Sequence, residues 1–179
     1  AVVAGMEKTA ASMEDWLVRK YSPSGGLVWS KAYDSGANNT DIAYGVAVNS
    51  KGEIAVVGSE TRTDIGEGIN WMVRKFSSGG TLLWSRTYNN PDVSATNDAA
   101  YGAAFDGSGN LLVAGLIDNQ NSGTGNDVMV RKYYPNGGLF WSRTYGKVGS
   151  DNEQANAVGV DASGNCLVAG SAENNNVPN

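Results

Sequence analysis

The 179-residue chain contains no histidine, a single cysteine (Cys166) and only 4 prolines. Without histidine, the commonest general base, the commonest zinc ligand and every Ser-His or Cys-His nucleophile pair are excluded. One cysteine allows no internal disulfide. Charge is sparse as well, at 17% of residues, and acids outnumber bases to a net charge of −5. An acidic surface repels phosphate, which argues against nucleic acid as a partner and offers anionic membranes nothing to attract. No apolar run approaches the roughly 20 residues of a membrane-spanning helix, so membrane insertion is not expected. The chain opens Ala1-Val2-Val3 without methionine, so a processed or excised N-terminus is the expectation.

What is present is glycine, 24 residues of it, with hydrophobic residues at 41%. The combination suits a folded chain of many tight turns. Self-similarity is plain. Trp16-Leu-Val-Arg-Lys-Tyr21, Trp71-Met-Val-Arg-Lys-Phe76 and Val128-Met-Val-Arg-Lys-Tyr133 align. Each is followed by a Gly-Gly turn and then by Trp29-Ser-Lys-Ala-Tyr33, Trp84-Ser-Arg-Thr-Tyr88 or Trp141-Ser-Arg-Thr-Tyr145. Two further runs alternate with these, one ending in Gly5, Gly58, Gly115 and Gly170, the other including Tyr44–Val48, Tyr101–Phe105 and Ala157–Val160. Each repeat of 53–57 residues therefore holds four short runs, rich in Val, Trp and Tyr and bounded by Gly, Asn, Asp and Ser. No run has helical length or period. The expected fold class is all-β: a β-propeller of four-stranded antiparallel blades, about three repeats, incomplete or partner-completed. Residues 1–33 supply strands B, C and D of a first blade. Residues 43–88 and 99–145 form two full blades, and 154–170 supply strands A and B of a further one.

Trp71-Met-Val-Arg-Lys-Phe76, Gly79-Gly80, Leu83-Trp84 and Tyr88 lead into Asp98-Ala-Ala-Tyr-Gly-Ala-Ala-Phe-Asp106, Gly109-Asn110 and Val113-Ala-Gly115. This string resembles the bacterial β-propeller repeat known as the SBBP repeat, over nearly the whole chain. The resemblance implies an extracellular or cell-surface bacterial protein and a binding module more often than an enzyme. The third copy departs from the pattern at Gln154, where the others carry Asp41 and Asp98.

The repeated Trp of the last run is expected to pack between neighbouring units rather than to present a sugar platform. Arg19, Arg74 and Arg131 are expected to pair within their own units, with Lys20, Lys75 and Lys132 solvated. Cys166 takes a slot held elsewhere by Ile54 and Leu111, and reads as a small core residue. Asp106-Gly-Ser-Gly-Asn110 and Asp161-Ala-Ser-Gly-Asn165 suggest calcium. However, Lys51 stands in the third copy's ligand position, and side-chain-to-backbone turns explain the same residues. No metal and no cofactor are expected.

The short links repeat, whereas the B–C and D–A links differ among copies, so variable function is expected on the long-loop face. The candidate ligand-binding residues there are Glu60, Asp64, Glu67, Asp92, Asp118, Asn119, Asp151 and Glu153. The expected role is a non-catalytic binding module for a protein or glycan ligand. One alternative is a structural subunit that associates through open blade edges. Another is a carboxylate-based hydrolase or lyase, although composition leans against catalysis. Other blades of a longer chain, or a second copy of this one, complete the expected partners.

Overall fold

The computed structural model describes residues 1–8, 13–36, 39–91, 96–119, 125–146 and 152–173. Its strands in chain order are β1 (Val2–Lys8), β2 (Glu14–Tyr21), β3 (Leu27–Tyr33), β4 (Ile42–Val48), β5 (Ile54–Thr61), β6 (Gly68–Phe76) and β7 (Leu82–Tyr88). They continue with β8 (Thr96–Asn97), β9 (Ala99–Phe105), β10 (Leu111–Asp118), β11 (Asn126–Tyr133), β12 (Leu139–Tyr145), β13 (Glu153–Val160) and β14 (Cys166–Ala172). A 3-10 turn at Thr63–Ile65 interrupts the β5–β6 connection.

Local chemistry sets these elements. The β-branched and aromatic runs suit a pleated surface, and the turns carry glycine where the backbone turns left-handed. Gly52, Gly109 and Gly164 close three hairpins at φ 76°, 82° and 84°. In the same hairpins Asn49, Asp106 and Asp161 accept backbone N–H bonds from two and four residues on. These are side-chain-capped turns, and the oxygens expected to suggest calcium are spent in them.

Pairing is antiparallel between chain neighbours, giving sheets β1-β2-β3, β4-β5-β6-β7, β9-β10-β11-β12 and β13-β14, with β8 lying parallel on β6. Each sheet stacks on the next in the chain. Trp16, Val18, Ile54, Val56, Met72 and Phe76 form the core between the first and second. Ala55, Val57, Trp71, Val73, Leu111, Val113 and Met129 fill the second junction. Ala114, Val130 and Ala155 form a smaller core at the third. A sheet between two others buries both faces, so β10 is buried at every position and β5 at all but its last. That is why both read as continuous apolar runs rather than as alternation.

The first strands of consecutive sheets approach closely. A side chain on Gly45 would overlap the Tyr101 carbonyl, and a Cβ on Gly102 would stand 2.8 Å from the Val158 nitrogen. Only glycine permits that spacing.

The expected β-propeller is not what forms. Four separate antiparallel sheets stand in a row, and no ring closes among the described residues. Each core joins only sheets that are consecutive in the chain. Closure would have to bury the two outermost faces, yet Val3 of the first sheet is 55% exposed and Leu167 of the last is 56%. No helix of the described residues is long and apolar enough to cross a membrane, which says nothing of strands.

Candidate functional site

The chemistry-bearing side chains are concentrated at the junctions between sheets. At the first, the Trp16 indole N–H donates to the Ser59 carbonyl at 2.7 Å; at the second, Trp71 donates to Leu116 at 2.6 Å. Both tryptophans are at most 1% exposed. The Arg74 guanidinium lies 4.0 Å from the Tyr33 ring centroid, and Arg131 lies 4.1 Å from that of Tyr88. Arg74 and Arg131 thus stack on the preceding sheet, where pairing within their own units was expected, whereas Arg19 pairs as expected with Glu7 of its own sheet, at 3.8 Å. Burial pulls the Arg74 pKa down, against the charges of Tyr33 and Glu60.

A second device locks each turn to the sheet before it. Lys20 Nζ and the Trp29 indole both donate to the Ser78 carbonyl, at 2.7 and 3.3 Å. Lys75 Nζ and the Trp84 indole both donate to the Pro135 carbonyl, at 3.2 and 3.0 Å. Lys75, expected in solvent, is 1% exposed and pairs with Glu53 at 2.8 Å. The hydrogen bond from Lys75 pulls the Glu53 pKa down despite partial burial. Trp84 is packed between sheets, as its repetition suggests.

The residues singled out on the loops do not form one site. Glu60 lies inside β5, fully buried, accepting from the Tyr33 and Thr87 hydroxyls at 2.7 Å each. Burial, then the Glu60 hydrogen bond and charge, push the Tyr33 phenol far above its ordinary range. Asp64 sits in the 3-10 turn, paired with Arg62 at 3.0 Å. Glu67 accepts from the Asn70 amide at 2.7 Å. Asp118 ends β10, buried, and its carbonyl accepts from the Asn90 amide at 2.8 Å. Asn119 donates to Asp127 at 2.6 Å and accepts from Asn90. Asp118 and Asn119 share a network through Asn90. Asp92 and Asp151 lie outside the described residues.

Register corrects one alignment. Ala43, Ala100 and Ala155 pair with Gly58, Gly115 and Gly170, so Glu153, not Gln154, stands in the place of Asp41 and Asp98. Asp41 accepts from the Ser35 and Thr61 amides at 2.6 and 2.8 Å; Asp98 accepts from the Asn90 and Asp118 amides at 2.8 Å each. Burial raises the Asp41 pKa against those bonds. Glu153 is equally buried, at 0% exposure, but neither carboxyl oxygen has a hydrogen-bond partner among the described residues. It lines a cavity of about 350 Å³ at the third junction, together with Val128, Val130, Tyr145, Ala155, Val168 and Ser171. A cavity of about 400 Å³ at the first junction is bounded by Trp16, Tyr33, Arg74 and Phe76. Among the described residues, no group of three or more Cys, Asp or Glu side chains is placed to hold a metal ion.

No protein-family model matches the chain, and no curated protein matches it. The resemblance to the SBBP repeat is therefore not supported: a short repeating pattern of Trp, Arg and Gly meets the demands of stacked hairpins without marking that family. The expected ligand-binding loop face falls with the propeller. Without blade geometry, no common rim gathers the loops among the described residues, and three of the candidate side chains, those of Glu60, Asp118 and Glu153, are built into strands. The expected association through blade edges loses its basis in the same way.

Proposed function

We propose that the protein is a stacking module whose two outer sheet faces receive a second copy of the chain, head to tail and face on face. The observation that supports this is a difference in exposure between positions of identical register. Val3, opposite Arg19, corresponds to Val56 opposite Arg74 and Val113 opposite Arg131. Val56 and Val113 are 0% exposed, whereas Val3 is 55% exposed. At the other end, Leu167 opposite Gly159 corresponds to Ala55 opposite Ala47 and Leu112 opposite Ala104. Those two are 0% and 1% exposed, against 56% for Leu167.

The second junction shows what covers such faces: the face of the second sheet that carries Ala55 rests against the face of the third that carries Val113. Burying a valine or leucine contributes roughly 1.5–3 kcal/mol, so a repeated set of such positions favours covering the face. The contact is between faces and leaves strand edges out of account. Light scattering across a concentration series tests it. Mass should rise above that of the single chain, and Val3→Glu or Leu167→Glu should each return it to the monomer. A wild-type chain that stays monomeric up to millimolar concentration refutes the reading.

A further inference from the structure

The third junction differs from the other two in one part that they share. Val128 occupies the register position of Trp16 and Trp71: Val128 pairs with Leu116 and Tyr145, as Trp71 pairs with Ser59 and Tyr88. The Ser171 carbonyl occupies the position of the Ser59 and Leu116 carbonyls that receive the indole N–H. Tyr145 stands in the place of Tyr33 and Tyr88 and is 56% exposed. The cavity of about 350 Å³ lies beside Val128, where the other two junctions hold an indole.

Its lining has a definite chemistry. Val128, Val130, Ala155 and Val168 supply apolar walls, Tyr145 an aromatic face and Ser171 an acceptor. Glu153 supplies two carboxyl oxygens, fully buried and without hydrogen-bond partners among the described residues. A buried carboxyl group left without donors is costly, and a cation that brings N–H groups removes that cost. A flat apolar ring satisfies the walls, and a planar cation is attracted to the tyrosine face. The volume lies within the range of small-molecule sites. We infer that the third junction is a binding site for a small aromatic cation, an aryl amidine or an arylmethyl ammonium, with Glu153 as the charged anchor. This site is independent of the outer faces proposed for stacking.

Benzamidine is the probe. Backbone amide shifts of Gly170, Ser171 and Ala172 should move and saturate, half-maximally below about 1 mM. Benzyl alcohol, similar in shape but neutral, should bind at least tenfold more weakly. Glu153→Gln keeps the shape and removes the charge, and should weaken benzamidine by roughly tenfold to a hundredfold. Tyr145→Ala, at an exposed position, should weaken it severalfold. Val128→Trp should abolish binding while its circular dichroism stays that of the parent. No saturable shift with the parent chain would overturn the inference, as would equal binding of benzyl alcohol. So would unchanged affinity in Glu153→Gln, the variant that remains informative if Val128→Trp fails to fold.

Discussion

Replacing Trp71 by valine would give the second junction the residue that the third has at the same register. Trp71 is 0% exposed and packs in one core with Val73, Ala100, Val113 and Ile117. Its indole N–H donates to the Leu116 carbonyl at 2.6 Å. Trimming a buried Trp to a residue that retains part of its volume costs about 2–4 kcal/mol through lost burial and the cavity left behind. Depriving a buried carbonyl of its donor adds about 1 kcal/mol. The total, about 3–5 kcal/mol, is a large share of the 5–15 kcal/mol by which a domain is ordinarily stable. With a urea m-value of about 2–3 kcal/mol/M, the unfolding midpoint should fall by about 1–2 M. Far-UV circular dichroism in urea reads this without relying on the fluorescence of the residue removed. Trp71→Phe, which keeps most of the packing and loses only the donor, should cost about 1–2 kcal/mol. A loss under about 1 kcal/mol for Trp71→Val would refute the argument, because it would mean that the junction closes over the gap at no cost.

Gly102→Ala should destabilise by roughly 1–3 kcal/mol, because the new methyl meets the Val158 backbone at 2.8 Å, while Gly159→Ala, with nothing within 4 Å, should be near neutral in the same thermal melt. Partial burial pushes the Asp106 pKa up, but bonds from Lys132, Asn110 and the backbone outweigh it and bring the value down from its ordinary 3.8 to about 2. An acid whose folded pKa is lowered contributes stability that is complete above the ordinary Asp range and disappears as pH falls through the folded value. Asp106→Asn should therefore flatten the fall in melting temperature between about pH 4 and pH 2, and an unchanged slope would contradict the assignment. Arg74→Lys should cost about 1 kcal/mol, since an ammonium does not reproduce the planar contact 4.0 Å from the Tyr33 ring, whereas the exposed Arg143→Lys should change stability by less than about 0.5 kcal/mol in urea titrations.

The sequence by itself determined the local structure. Strand runs, the glycines that close the hairpins and the Asn or Asp that caps each one depend on a few adjacent residues, and side-chain-to-backbone bonds settle them without help from the rest of the chain. Packing of the repeated Trp between units was legible for the same reason, since a residue at constant phase in every copy meets the same neighbours. What only the tertiary structure decided is how the sheets stand to one another and which polar groups that arrangement encloses. Whether a row of sheets closes depends on small rotations summed over junctions, and no residue encodes such a sum, so the expected propeller became an open stack. Glu60 and Asp118 were assigned to loops because the runs were taken to end at Gly58 and Gly115, and the stack extends those strands to Thr61 and Asp118, with donors from other elements. The three first strands carry a bulge at the same place, and the register sets Glu153, not Gln154, level with Asp41 and Asp98. Valine at position 128 was visible in the sequence, but its consequence was not. A cavity beside an unpartnered carboxyl group exists only where two sheets meet, because a missing side chain becomes a space only once others surround it.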